Sequence, residues 1–293
     1  MLNYFETPVI EILDKAAEKA GVKILIKRED LNHLYASDNK WWKLKYNLQE
    51  AKRLGHDTLL TFGGAFSNHI FATAVAGKEL GLKSIGIIRG EKVLPLNHTL
   101  AFAENCGMQM HFISREDYRR KTEQPFIDQL KEKFGEFYLI PEGGTNAFAI
   151  RGCAEFAKEK IWPIGCTHVC LPVGTGGTLA GIVSGLRGET KVIGFSVLKD
   201  GSFLREEIKS QLVFFIGSNW EIQTDYHFGG YAKQTSVLTE FMINMKQQYD
   251  LPLDHVYTGK MMFGIFDLIK KGYFEKGSVI LVIHTGGLQG SDR

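Results

Sequence analysis

The chain has 293 residues, with 35 basic against 33 acidic side chains and 44% apolar residues. A net charge of +2 without any basic block excludes a nucleic-acid surface built on phosphate neutralisation. Glycine is in excess, 32 residues against only 7 prolines, where ordinary usage would give about 20 glycines. Disordered and collagen-like chains raise both residues together, so neither class fits.

Short apolar runs and longer amphipathic segments alternate along the chain. Strands are expected at Lys23–Lys27, Thr58–Phe62, Ser84–Ile88, Gln109–Ile113, Phe137–Ile140, His168–Val173, Val192–Val197 and Ser278–Ile283. Helices are expected between them, among others at Trp41–Arg53, Ser67–Leu80, Asn97–Cys106, Ala147–Lys160 and Ser236–Gln248. This order predicts βαβ units and parallel sheet. Without a linker or repeat, two lobes sharing one interface are expected.

The opening MLNYFETPVIEILDK lacks a basic n-region and an apolar h-region. The uncharged run Trp162–Leu186 holds six glycines and two prolines, too broken for a spanning helix. Cys106, Cys153, Cys166 and Cys170 form no CxxC pair and have no histidine at zinc spacing. The expectation is a cytoplasmic protein with reduced, mostly buried thiols, no metal site, no membrane contact and no nucleic acid.

The glycines cluster. Five Gly-Gly pairs occur, and four follow strand-like runs: Gly63-Gly64, Gly143-Gly144, Gly176-Gly177 and Gly286-Gly287. Ligands bind at the carboxyl ends of parallel strands, where glycine lets backbone come close. Four pairs in equivalent places predict one shared site.

Within that set, Gly174-Thr175-Gly176-Gly177-Thr178 runs from strand to helix start, so backbone N–H groups and two hydroxyls can face one anion. It lacks the Lys-Ser/Thr of a phosphate-binding nucleotide loop, and Leu179 breaks the dinucleotide fingerprint. A second loop, Gly63 to His69, offers Ser67 and Asn68. Both are ordinary helix-capping types, and both can also hold a carboxylate or a hydroxyl. His69 is a core histidine or a proton carrier. In SDNKWWKLKYN, Lys40 and Lys43 share one helical face, and either becomes a nucleophile only if desolvated or placed by neighbouring charge. Tyr257 and Thr258 follow a turn containing Pro252, and Tyr231 follows Gly229-Gly230.

Taken in order, KRED, NKWWKL, GGAFSNH, PEGGTNA, GTGGTLAG, GGY, VYTGK and HTGG resemble the D-cysteine desulfhydrase and 1-aminocyclopropane-1-carboxylate deaminase family of fold-type II pyridoxal-phosphate enzymes. The resemblance spans Lys27 to Gly287. It implies an α/β fold of two open, twisted, mostly parallel sheets with flanking helices, similar to the tryptophan synthase β chain. A large domain of residues 1–43 and 149–293 would enclose an inserted domain of residues 44–148. It also implies pyridoxal 5'-phosphate as cofactor, a small amino acid as substrate, and a homodimer.

The resemblance assigns roles as well. Lys40, directly after Asn39, matches the lysine that bonds to the cofactor. Asn68 matches the residue at the cofactor's phenolic oxygen, and Ser67 the one at the substrate carboxylate, with His69 beside them. Gly174, Thr175, Gly176, Gly177 and Thr178 match the phosphate cup. Tyr231 and Tyr257 match two tyrosines near the bound amino acid. Thr258 and Thr285 stand near the cofactor ring, where the ring-opening deaminases carry glutamate and leucine. A glutamate at the ring nitrogen would strengthen the electron sink, and a threonine does so weakly. The pair of threonines therefore implies β-elimination, with the cyclopropane deaminase or another lyase or racemase as alternatives. Two departures, Asp38 for the usual glycine and Trp42 for a common arginine, also leave open a cofactor-binding homologue with weak turnover.

Overall fold

The computed structural model describes residues 2–36, 38–186, 190–212 and 219–288. Strands and helices alternate along it: β1 (Val9–Ile12), α1 (Lys15–Ala20), β2 (Lys23–Lys27), α2 (Asn39–Arg53), β3 (Thr58–Gly63), α3 (Asn68–Leu80), β4 (Lys83–Arg89), α4 (His98–Asn105) and β5 (Gln109–Ile113). There follow α5 (Arg115–Arg119), α6 (Gln124–Phe134), β6 (Tyr138–Ile140), α7 (Ala147–Phe156), β7 (His168–Val173), α8 (Gly177–Gly185) and β8 (Lys191–Ser196). The chain closes with α9 (Leu204–Gln211), β9 (Trp220–Gln223), α10 (Ser236–Tyr249), α11 (Thr258–Lys270) and β10 (Val279–Ile283).

Two sheets result. The larger has strand order β1-β2-β10-β7-β8-β9, and the smaller β5-β4-β3-β6. Every pairing is parallel except β1 with β2. This is the mostly parallel α/β architecture expected. Helices cover both faces of such sheets, which explains why the strands read as unbroken apolar runs. All six residues of β3 are buried, for example. The smaller sheet is built wholly from residues 58–140. Its strands lie in the chain between β2 and β7 of the larger one.

Local chemistry sets the element ends. Ser67, Asn97 and Asn146 cap α3, α4 and α7 by accepting from backbone N–H groups of the first turn. Helix α2 begins two residues earlier than the periodicity indicates, because Asp38 caps it. The helix expected to reach Lys160 keeps α geometry only to Phe156, and a π turn carries it over Ala157–Ile161. Strands β1 and β9 were not among the expected runs. Each is a four-residue strand at an edge of the larger sheet, with little of it buried, so neither carries an apolar run.

The glycine excess has a second origin beyond strand ends. A Cβ on Gly152 of α7 would stand 2.0 Å from the Trp42 carbonyl oxygen of α2. One on Gly185 of α8 would stand 2.2 Å from the Ala154 oxygen of α7. Bare Cα atoms let these three helices lie against one another, and this close packing fixes α2, which carries both candidate lysines.

Candidate active site

The first turn of α2 hangs on the KREDLNH segment. Asp38 N–H donates to the Glu29 carbonyl and to Asn32 Oδ1, and Asn32 Nδ2 donates back to the Asp38 carbonyl. The buried Glu29 carboxylate accepts from Thr7, Asn32 and the Trp42 indole. Trp42 is buried and its indole N–H is satisfied. Asp30 pairs with Arg28 and lies 3.3 Å from His284 Nδ1, while His284 Nε2 donates to the Pro252 carbonyl. The KRED motif thus braces the α2 start against the loop after β10.

Lys40 and Lys43 project into one cavity. Lys40 Nζ donates to Asn39 Oδ1 at 2.6 Å, and Asn39 Nδ2 donates to Thr178 Oγ1 at 2.7 Å. Lys43 is 2% exposed, and burial with the neighbouring Lys40 charge brings its pKa down to about 7. Its Nζ donates to Thr145 Oγ1 at 2.9 Å, and the Thr145 and Thr175 hydroxyls lie 2.7 Å apart. Each lysine is therefore wired to the glycine–threonine loop through one polar side chain.

Four loops at strand ends meet at this cavity. Its wall includes Ser67, Asn68, His69, Gly143, Gly174, Thr175, Gly176, Thr178, Tyr257 and Thr285. Three glycines shape the approach. Gly176 has φ +79, a conformation that favours glycine, and a Cβ there would meet Ile208 at 2.6 Å. Cβ atoms on Gly143 and Gly177 would press on Thr175 and Thr145. No side chain caps α8, so its first N–H groups are left for a ligand. Gly177 itself does not line the cavity.

His69 is buried and its pKa is held well below the ordinary value, first by burial and then by the two lysines. Thr61 Oγ1 donates to the Ile140 carbonyl, so it must accept from His69 Nε2 at 2.9 Å. The ring is then a neutral tautomer whose Nδ1 is a bare acceptor, and that atom has no hydrogen-bond partner among the described residues.

Tyr257 lines the cavity and Tyr231 stands behind it, with ring centroids 6.0 Å apart. Burial raises the pKa of both phenols. Thr285 is on the wall, but Thr258 is not. Thr258 is fully buried, donates to Asp254 Oδ1 at 2.6 Å and accepts from Asp254 N–H. Asp254 also takes the N–H groups of Val256, Tyr257 and Thr258. The Thr258 hydroxyl thus belongs to a buried turn ahead of α11, which places it away from a ligand in the cavity.

The donor set suits a phosphate-bearing aldehyde. The cavity offers uncapped helix N–H groups, the hydroxyls of Thr175 and Thr178, two lysines, and no carboxylate among its lining residues. Among the described residues no group of histidine, cysteine, aspartate or glutamate is placed to hold a metal ion, and no helix is long and apolar enough to cross a membrane.

Comparison with known proteins agrees with this geometry. A family described as pyridoxal-phosphate dependent enzyme matches residues 1–286. A Pyrococcus abyssi protein provisionally named 1-aminocyclopropane-1-carboxylate deaminase is 34% identical over 98% of this chain and 90% of its own length. The mitochondrial bifunctional D-cysteine desulfhydrase/1-aminocyclopropane-1-carboxylate deaminase of Arabidopsis thaliana is 33% identical over 92% of this chain and 73% of its own. A crystal structure described as a homologue of the cyclopropane deaminase superposes with a TM-score of 0.85 at 30% identity, covering 99% of this chain and 92% of that one.

Proposed function

Since the chain belongs to the pyridoxal-phosphate-dependent enzymes, we propose that it catalyses α,β-elimination on a small amino acid, converting D-cysteine to pyruvate, sulfide and ammonia. The observation that carries this reading is a wall with a lysine amine, an anion cup and no carboxylate. When bound, the cofactor supplies an aldehyde for the substrate amine and a ring that delocalises the electrons left on carbon α. With no carboxylate among the residues lining the cavity, that sink would be modest, which suits loss of a good leaving group better than opening a ring that lacks an α-hydrogen.

Lys40 would hold the cofactor and, with its amine free, would take the α-proton at Nζ. Gly174 through Thr178 would hold its phosphate, and Asn68 would serve its phenolic oxygen. Ser67 and the N–H groups of its loop hold the substrate carboxylate, fixing which bond at carbon α faces Nζ. Tyr231 and Tyr257 keep their protons because burial raises both pKa values, and Tyr257, the one on the wall, would protonate the departing sulfur with Tyr231 beside it. His69 Nδ1 serves as an acceptor at the same wall. Thr285, rather than Thr258, is the hydroxyl available to the cofactor ring.

The same reading takes the chain as a cytoplasmic homodimer, with residues 1–43 and 149–293 around an inserted unit of 44–148. Confinement of the smaller sheet to residues 58–140 supports that division. Ring opening is the competing activity, since relatives carry both names. The test is to incubate the cofactor-loaded protein with D-cysteine, L-cysteine, D-serine and 1-aminocyclopropane-1-carboxylate, assaying sulfide, pyruvate and 2-oxobutyrate. Pyruvate and sulfide in equal amounts from D-cysteine, faster than from the others, are expected. 2-Oxobutyrate as the main product would overturn the elimination in favour of ring opening.

A further inference from the structure

Asp38 holds a backbone conformation that belongs to glycine. Its φ of 79 and ψ of −161 lie in a region that side-chain-bearing residues almost never enter. It is also fully buried, and its Oδ2 has no hydrogen-bond partner among the described residues. A strained backbone and an unpaired buried oxygen in one residue are costly together, and such costs persist chiefly where they serve a site.

Its neighbours define what that carboxylate can do. From α2, Oδ1 accepts the Lys40 N–H at 2.6 Å and lies 3.7 Å from Lys40 Nζ, and the buried Lys43 amine stands on the same helix. From the turn ahead of α11 comes Asp254, whose oxygens are taken by the backbone and by Thr258. From the loop after β10 comes Gly286, where a Cβ would stand 2.7 Å from the Asp38 Cβ, so only glycine leaves the carboxylate room. Asp38 is therefore the carboxylate with an oxygen to spare beside the Lys40 amine.

We propose that Asp38 is the counter-ion of the Lys40 nitrogen, a positioning residue that stabilises positive charge at that atom when it carries the cofactor. The inference rests on Lys40 being the anchor. Burial pushes the Asp38 carboxyl up to about 6 while Lys40 and its N–H oppose the rise, so the group is ionised at neutral pH.

The test compares wild type, Asp38→Asn and Asp38→Gly, each loaded with pyridoxal phosphate. Absorbance is followed from pH 6.5 to 10, and borohydride reduction with peptide mass mapping locates the cofactor. A unit charge acting over 3.7 Å shifts a titration by roughly one to three pH units between effective dielectrics of about 80 and 20. Both variants should stay attached at Lys40 yet lose the yellow absorbance at a pH lower by about one unit or more. The glycine variant fits the backbone without strain, so it reports even if the asparagine variant folds poorly. Variants attached at Lys40 with wild-type spectra at every pH would overturn the counter-ion alone. Wild type with no adduct at Lys40 would overturn the anchor, and the counter-ion with it.

Discussion

Lys43 offers a sharp test of the electrostatics of the cavity wall. Its pKa is about 7 in the folded protein against an ordinary value of 10.5. Between those values the unfolded chain binds more protons than the folded one, so this group makes stability rise with pH. The penalty of burying the charge is complete below pH 7 and fades towards pH 10.5. Integrated from pH 6 to pH 9, Lys43 alone should add roughly 2–3 kcal/mol to the unfolding free energy. Lys43→Met keeps the length of the side chain and removes the charge. Urea unfolding of the cofactor-free protein at both pH values, for wild type and variant, isolates the effect from other titrating groups. The gain on raising the pH should be smaller in the variant by that amount. Equal pH dependence in the two proteins would show that Lys43 is not held neutral by burial, and the description of the wall would fail.

Other substitutions probe the scaffold. Gly176→Ala places a side chain at φ +79 and against Ile208, which should cost about 2–4 kcal/mol. It should also weaken pyridoxal phosphate binding at least tenfold by fluorescence titration. Gly152→Ala drives a methyl into the Trp42 carbonyl oxygen, so roughly 3 kcal/mol or more should be lost in thermal or urea unfolding. Thr258→Val removes two buried hydrogen bonds with Asp254 and should cost about 1–3 kcal/mol. The visible spectrum of its bound cofactor should stay that of wild type, because Thr258 does not line the cavity.

What the sequence reveals and conceals follows from how far each signal reaches. Parallel strands buried on both faces leave apolar runs, so β3, β7 and β10 are legible, as are the loops that end them. Convergence of those loops was legible too, since glycine pairs recurring at strand ends mark a shared rim. Thr258 shows the limit: its position beside Tyr257 suggests a ligand contact, but its hydroxyl is turned to Asp254, four residues back. KRED was legible only as a family motif, and the bracing by Glu29 and Asp30 of segments distant in sequence was not. Asn39 meets Thr178 across 139 residues, a pairing that no local pattern encodes. Glycines such as Gly152 and Gly185 looked like part of a single excess, although their reason is helix contact. Asp38 was visible as a departure from the family, but its backbone strain and unpaired oxygen exist only in the fold.

The identity of the covalent anchor carries the account, because two lysines face the same cavity and only one of them can hold the cofactor. The protein loaded with pyridoxal phosphate should be reduced with borohydride, digested, and mapped by mass spectrometry, alongside Lys40→Ala. The account predicts the reduced cofactor on Lys40 in wild type and no adduct in the variant. An adduct on Lys43, or an undiminished adduct in Lys40→Ala, would contradict it.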